Sequence, residues 1–119
     1  MAWSSILDQE RVVETLRRAL AQERVAHAYL FHGPDGVGKR AVALEMARAL
    51  ECTEQVEEAC GQCPACRKTA RMVHPDVHVH LPHPWSDEAD RDEEDIGKRI
   101  QRLGENPYAT VDFARRPSL

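Results

Sequence analysis

The chain has 119 residues, of which 42% are apolar and 30% charged, enough for one small soluble globular domain. It carries no apolar run near the roughly 20 residues that a bilayer span needs, and no basic-then-apolar leader, which sets the expectation of a cytoplasmic protein without membrane contacts. A net charge of −4 excludes general attraction to nucleic acid, so contact with DNA has to come from a local patch or from partner chains.

Residues 3–7 form a short apolar lead-in. Asp8 is the expected N-cap of an amphipathic helix that reaches about Ala21, with Val12, Val13, Leu16 and Leu20 on one side and Glu10, Arg11, Glu14, Arg17 and Arg18 on the other. A turn over 22–27 leads into Tyr29-Leu30-Phe31, which reads as a short buried strand.

Gly33-Pro34-Asp35-Gly36-Val37-Gly38-Lys39-Arg40 follows, and Gly33-x4-Gly38-Lys39 is the spacing of a phosphate-binding loop. Glycines let successive backbone N–H groups turn inward, and the helix that begins here presents its positive end to an anion. A loop that handles magnesium carries Ser or Thr after the lysine, because that hydroxyl ligates the Mg²⁺ between the β- and γ-phosphates. Here the position is Arg40, whose guanidinium has no acceptor lone pair and repels a cation. The expectation is a loop that keeps its shape with ATP or ADP binding weak or absent, and no residue is assigned a catalytic role. The alternative, an Arg40 that merely faces solvent while nucleotide binds through Lys39 and the backbone, stays open.

Residues 40–50 are rich in Ala, Leu, Met and Glu, with apolar residues on most of the circumference, and predict a helix that ends near Glu51. Strand, glycine loop and helix together open an α/β nucleotide-binding domain with a largely parallel sheet. Cys52, Cys60, Cys63 and Cys66 come next as Cys-x7-Cys-x2-Cys-x2-Cys, with Gly61 and Pro64 as turns. Four thiolates so spaced suit a tetrahedral Zn²⁺, and one with no open position for water is structural. Disulfides fit poorly in a reducing compartment, while an iron–sulfur cluster is a further thiolate reading.

A short helix is expected over 67–73, cut by Pro75. Asp76-Val77-His78-Val79-His80-Leu81 alternates as a second strand, with Val77, Val79 and Leu81 on one face. His74, His78, His80 and His83 form at most a rival metal cluster, since β-alternation already explains two of them. Residues 82–95 are proline-punctuated and then acidic, an expected solvated, mobile loop. Asp87-Glu88-Ala89-Asp90 resembles a magnesium-binding string of helicase-type motors, but a functional acidic pair must end a buried strand, and none precedes it. Ile96, Ile100 and Leu103 mark a short helix ended by Gly104 and Asn106-Pro107, and 108–113 is a candidate strand.

His27-Ala28-Tyr29-Leu30-Phe31, the 33–39 loop, the helix after it, the four cysteines and His74-Pro75-Asp76-Val77 together resemble the bacterial clamp-loader subunits of DNA polymerase III. Asp8-Gln9-Glu10 resembles that family's Gly-Gln-Glu approach to the first helix, with Asp8 in place of the glycine. The resemblance covers roughly residues 6–81. It implies an AAA+ fold: residues 1–81 as the N-terminal part of a P-loop domain with a zinc module at 52–66, 82–95 as the acidic loop, and 96–119 as a helix and strand of a truncated remainder. Its sheet sets the first two sequence strands apart, with later strands between them. The family's gamma/tau motor subunits carry Lys-Thr or Lys-Ser in the loop and hydrolyse ATP, whereas delta-prime subunits often have a degenerate loop and act as stators. Arg40 favours the second type. The resemblance therefore implies a non-catalytic subunit of a DNA polymerase holoenzyme. Its partners would be the other subunits of a hetero-pentamer and, through that complex, the sliding clamp and primer-template DNA. The family's Ser-Arg-Cys arginine finger is not in this sequence, which reads as an N-terminal fragment. A hydrolysing motor subunit and a zinc-binding interaction module are the competing readings.

Overall fold

The computed structural model describes residues 3–81 and 89–106. Among the described residues a 3-10 turn at Trp3–Ser5 is followed by four helices: α1 (Glu10–Ala21), α2 (Lys39–Glu51), α3 (Pro64–Ala70) and α4 (Ala89–Glu105). Helix α2 packs against both α1 and α3, and α4 rests on α3. No helix among the described residues is long and apolar enough to cross a membrane.

Helix α1 buries Leu16 and Leu20 through the periodicity seen in its sequence. With Trp3, Val42, Met46 and Ala49 they form the main core, on which Ile6, Val13, Val25 and Phe31 pack. Asp8 is not the N-cap of α1. The cap is Gln9, without a side-chain cap bond, and Asp8 sits one residue earlier at φ 56°. That left-handed backbone favours glycine and tolerates Asp among the other residues, which accounts for an aspartate where a glycine was expected. At the other end Glu23 (φ 53°) turns the chain, and Arg24 N donates to Ala19 O at 2.9 Å, a helix stop made without glycine.

Helix α2 matches its sequence signal, yet its buried side includes the oppositely charged Glu45 and Arg48 as well as Ala41, Val42, Met46 and Ala49. Helix α3 starts three residues before the expected 67 and ends at Ala70. Pro64 is not a turn residue but occupies the first turn of the helix, and the Cys63 sulfur caps it by accepting from Cys66 N. Helix α4 begins at Ala89 and so takes in 89–95, assigned above to an acidic loop; Gly104 lies inside it and does not end it. A methyl on Gly104 would fall 2.7 Å from the Ala70 carbonyl oxygen, so the missing side chain sets how closely α4 and α3 approach.

The expected sheet is not formed among the described residues. Tyr29 and Leu30 are exposed, Leu30 at 87%, so 29–31 is not a buried strand, although Phe31 reaches the core. Over 76–81 the predicted alternation of faces is kept, with Val77, Val79 and Leu81 half-buried and Asp76, His78 and His80 exposed. A ladder belongs to two segments, and these two do not pair with each other. The remaining expectations, the strand at 108–113 and the loop over 82–88 with its Asp87-Glu88, lie outside the described residues.

Candidate metal centre and phosphate loop

The end of α2 and the start of α3 bring the four cysteines together. Cys52 follows the last helical residue, a glycine turn at Gly61 (φ 75°) reverses the chain, and Cys63 and Cys66 lie at the cap and in the first turn of α3. All four are free thiols, and their sulfurs lie within 4.8 Å of one another. Cys60 Sγ and Cys66 Sγ are 3.9 Å apart. A tetrahedron with metal–sulfur bonds of about 2.3 Å has edges of about 3.8 Å, so the spacing fits one ion and is tight for a cluster that spreads its thiolates over several irons.

Backbone N–H groups already face the sulfurs. Cys60 N donates to Cys52 Sγ at 3.4 Å, Gln62 N and Cys63 N to Cys60 Sγ at 3.4 and 3.2 Å, and Cys66 N to Cys63 Sγ at 3.4 Å. Backbone N–H groups of Thr53 and Cys66 hold the Cys63 thiol down at about 6. Burial works against ionisation of Cys52, but the N–H groups of Cys60, Glu54 and Gln55 outweigh it and the shift is downward. Cys66, only 1% exposed, is pushed up to about 12 by burial. The backbone donors thus favour thiolate at Cys63 and Cys52, while Cys66 keeps a proton for a metal ion to displace. These residues can hold a metal ion.

A second cluster, Glu51, His74 and Asp76, also lies within 4.8 Å. His74 Nδ1 accepts from Asp76 N at 3.1 Å, so a neutral His74 carries its proton on Nε2, which faces Glu51 Oε2 at 3.7 Å. Nδ1 closes the His-Pro-Asp turn, while Nε2 lies beside the carboxylate at the end of α2 beyond hydrogen-bond length. The rival histidine cluster does not form among the described residues, where His78 and His80 stand exposed and apart from His74.

The glycine loop keeps the conformation its sequence demands. Gly36 (φ 81°) and Gly38 (φ 101°) use left-handed backbone, and Gly38 is the N-cap from which α2 starts. Lys39 is half-buried and donates to the Gly33 carbonyl at 2.6 Å, with Asp35 Oδ1 4.0 Å away. Gly33, Pro34, Asp35 and Gly36 are exposed, Val37 is half-buried, Gly38 is buried, and Arg40 is exposed on the first turn of α2. Gln9 Nε2 donates to Val37 O at 3.1 Å and fastens the approach to α1 onto the loop. An open groove of about 360 Å³ runs beside it, lined by Gln9, Val12, Leu16, Phe31, Val37 and Val42 among others. Sequence reasoning flagged the Gln9-Glu10 pair but not this contact. It missed the bond from Trp3 Nε1 to the Glu57 carbonyl, for which no local signal exists, and the buried Glu45–Arg48 pair, whose i,i+3 spacing signals the contact but not its burial.

A family described as DNA polymerase III, delta subunit, matches residues 8–110. The chain is 35% identical over 83 residues to the DNA polymerase III subunit delta' of Bacillus subtilis, covering 69% of this chain and 25% of that protein. It is 48% identical over 58 residues to the delta' subunit of Pseudomonas aeruginosa, covering 48% and 18%. To the DNA polymerase III subunit tau of Bacillus subtilis it is 41% identical over 66 residues, covering 55% and 12%. No solved structure matches it. The chain thus spans a quarter or less of these relatives' own length. A match over most of the sequence, with the cysteine site and glycine loop it contains, makes the chain a member of the DNA polymerase III delta subunit family, of the delta-prime clamp-loader type.

Proposed function

We infer that the protein is a delta-prime-like, mainly architectural subunit of the DNA polymerase III clamp loader, which helps place the sliding clamp on DNA without hydrolysing ATP itself. Its partners are the sister subunits of a hetero-pentamer, and it meets the clamp and primer-template DNA through that assembly in the cytoplasm. Residues 1–81 belong to an AAA+ domain. Cys52, Cys60, Cys63 and Cys66 hold a structural Zn²⁺, and 33–40 is a vestigial nucleotide loop.

The observation that carries this reading is Arg40, a permanent cation on the first turn of α2 at the place where magnesium requires a hydroxyl. The test is ATP turnover by the full-length protein alone and in the reconstituted assembly. Turnover only in the assembly, unaffected by Lys39→Ala in this subunit, is expected. Brisk turnover by the isolated protein that Lys39→Ala abolishes overturns the reading and supports the motor-type alternative, which the retained Lys39 and glycine conformations favour.

A further inference from the structure

The seven residues between Cys52 and Cys60 are the widest gap among the four cysteines. A metal ion fixes the two ends of that loop, and the N–H groups of 53–55 turn toward the sulfurs, which leaves the stretch around Glu57 to be held from outside the module. Trp3 does this. Its indole Nε1–H donates to the Glu57 carbonyl at 2.8 Å, across 54 positions of sequence, while its ring is 3% exposed within the main core. Arg17 adds a contact to the Glu57 carboxylate at 3.7 Å, but both side chains are well exposed and the pair contributes little. The turn that Trp3 begins leads to Gln9, which grips the glycine loop.

We propose that Trp3 is a positioning residue for the metal site: metal binding at the cysteines and seating of the N-terminal turn are one coupled equilibrium, joined at the Trp3–Glu57 bond. Closing the loop at its ends lowers the entropy lost when its middle docks, and docking the middle lowers the cost of bringing Cys52 to Cys60. Each event therefore favours the other by the same factor. The proposal rests on the metal reading of the cysteine site.

The test is Co²⁺ binding to the reduced, metal-stripped 119-residue chain, followed by its thiolate absorption, with Zn²⁺ competition. Trp3→Phe keeps the ring in the core and removes the donor, and is expected to weaken metal binding about five-fold, the worth of one such hydrogen bond. Glu57→Ala keeps the carbonyl that accepts it and should stay within about two-fold of wild type. In a Trp85→Phe background the emission of Trp3 should move to the red when metal is removed, and this arm decides the matter should Trp3→Phe lose its helices by circular dichroism. Equal affinities of Trp3→Phe and wild type, or Trp3 emission indifferent to metal, overturn the proposal alone. A wild-type chain that binds neither ion overturns the metal reading together with it.

Discussion

The ammonium group of Lys39 donates to the carbonyl oxygen of Gly33 at 2.6 Å, so the side chain that the loop would offer to a phosphate lies folded across its mouth. An ammonium has three donors, so Lys39 can turn one of the others toward a phosphate or give up this bond to reach it. Where the loop binds ADP, Lys39→Ala should weaken it at least about ten-fold, roughly 1.4 kcal/mol and near the lower end for a hydrogen bond to a charged group. Mg²⁺ should add nothing to wild-type ADP affinity, whereas Arg40→Thr restores the missing alcohol and should make binding magnesium-dependent. Titration calorimetry of the variants with and without Mg²⁺ checks both outcomes.

Chelation or Cys60→Ser should loosen residues 52–66 and leave the segment at 29–31 little changed, read by hydrogen exchange. At neutral pH the Cys63 thiol, held near 6, is already ionised, while Cys66, near 12, is not. Zinc uptake should therefore release at least the Cys66 proton, measurable as a dependence of binding heat on buffer ionisation. As pH falls through about 6 a proton competes at Cys63 as well, and affinity should drop more steeply below that value than above it.

The helices α1 and α2 were legible because apolar periodicity and the glycine loop are local signals, and the cysteine site because its ligands lie close in sequence. Helix α3 starts three residues before its expected place because Pro64, a turn residue by composition, stands in the first turn of a helix capped by the Cys63 sulfur. The sequence reads 29–31 and 76–81 as strands of a sheet, and no sheet forms among the described residues. Alternation at 77–81 is real in the burial of its side chains, but a ladder depends on a neighbour that no local pattern specifies. Gln9 to Val37 and Trp3 to Glu57 are contacts between distant segments, and the chain carries no sign of either before it folds.

Asp8 holds left-handed backbone at φ 56°. Asp8→Gly removes that strain, and the gain is offset in part by the freer unfolded chain, so stability should stay level or rise by up to about 1 kcal/mol. Asp8→Val, β-branched and intolerant of positive φ, should cost roughly 1–2 kcal/mol. Denaturant melts of wild type and the Gly, Val and Asn variants separate the effect from any change in charge if Asp8→Asn behaves like wild type.

The close approach of α4 to α3 makes Gly104 a sensitive position. In Gly104→Ala the new methyl meets the Ala70 carbonyl at 2.7 Å and Met72 Cγ at 3.1 Å, and backbone cannot move aside as a side chain can. The expected cost is about 1–3 kcal/mol, set against the gain in helix propensity. Leu103→Ala, at a residue with no exposed surface, should cost about 2–5 kcal/mol. Faster hydrogen exchange across 97–105 with α1 unchanged would assign both losses to the docking of α4.

Glu45 and Arg48 meet at 2.9 Å with side chains 2% and 6% exposed, an ion pair in the middle of the packing between helices. Burial pushes the Glu45 carboxyl above its ordinary 4.5, and the attraction of Arg48 opposes this without reversing it. A carboxyl that is harder to ionise in the folded chain supports folding fully below its ordinary value, and that support is lost as pH rises through the raised one. Glu45→Gln keeps an acceptor for Arg48 and cannot ionise, so it should match wild type below about pH 4.5 and become the more stable of the two above it. Glu45→Ala takes the carboxylate from a buried guanidinium and should cost roughly 3–5 kcal/mol, whereas the double replacement Glu45→Leu with Arg48→Met should be neutral or stabilising. Melts across pH on the four chains distinguish a pair kept for stability from one that folding merely tolerates. A double replacement as damaging as Glu45→Ala would show that Arg48 holds α2 in place through contacts that methionine cannot make.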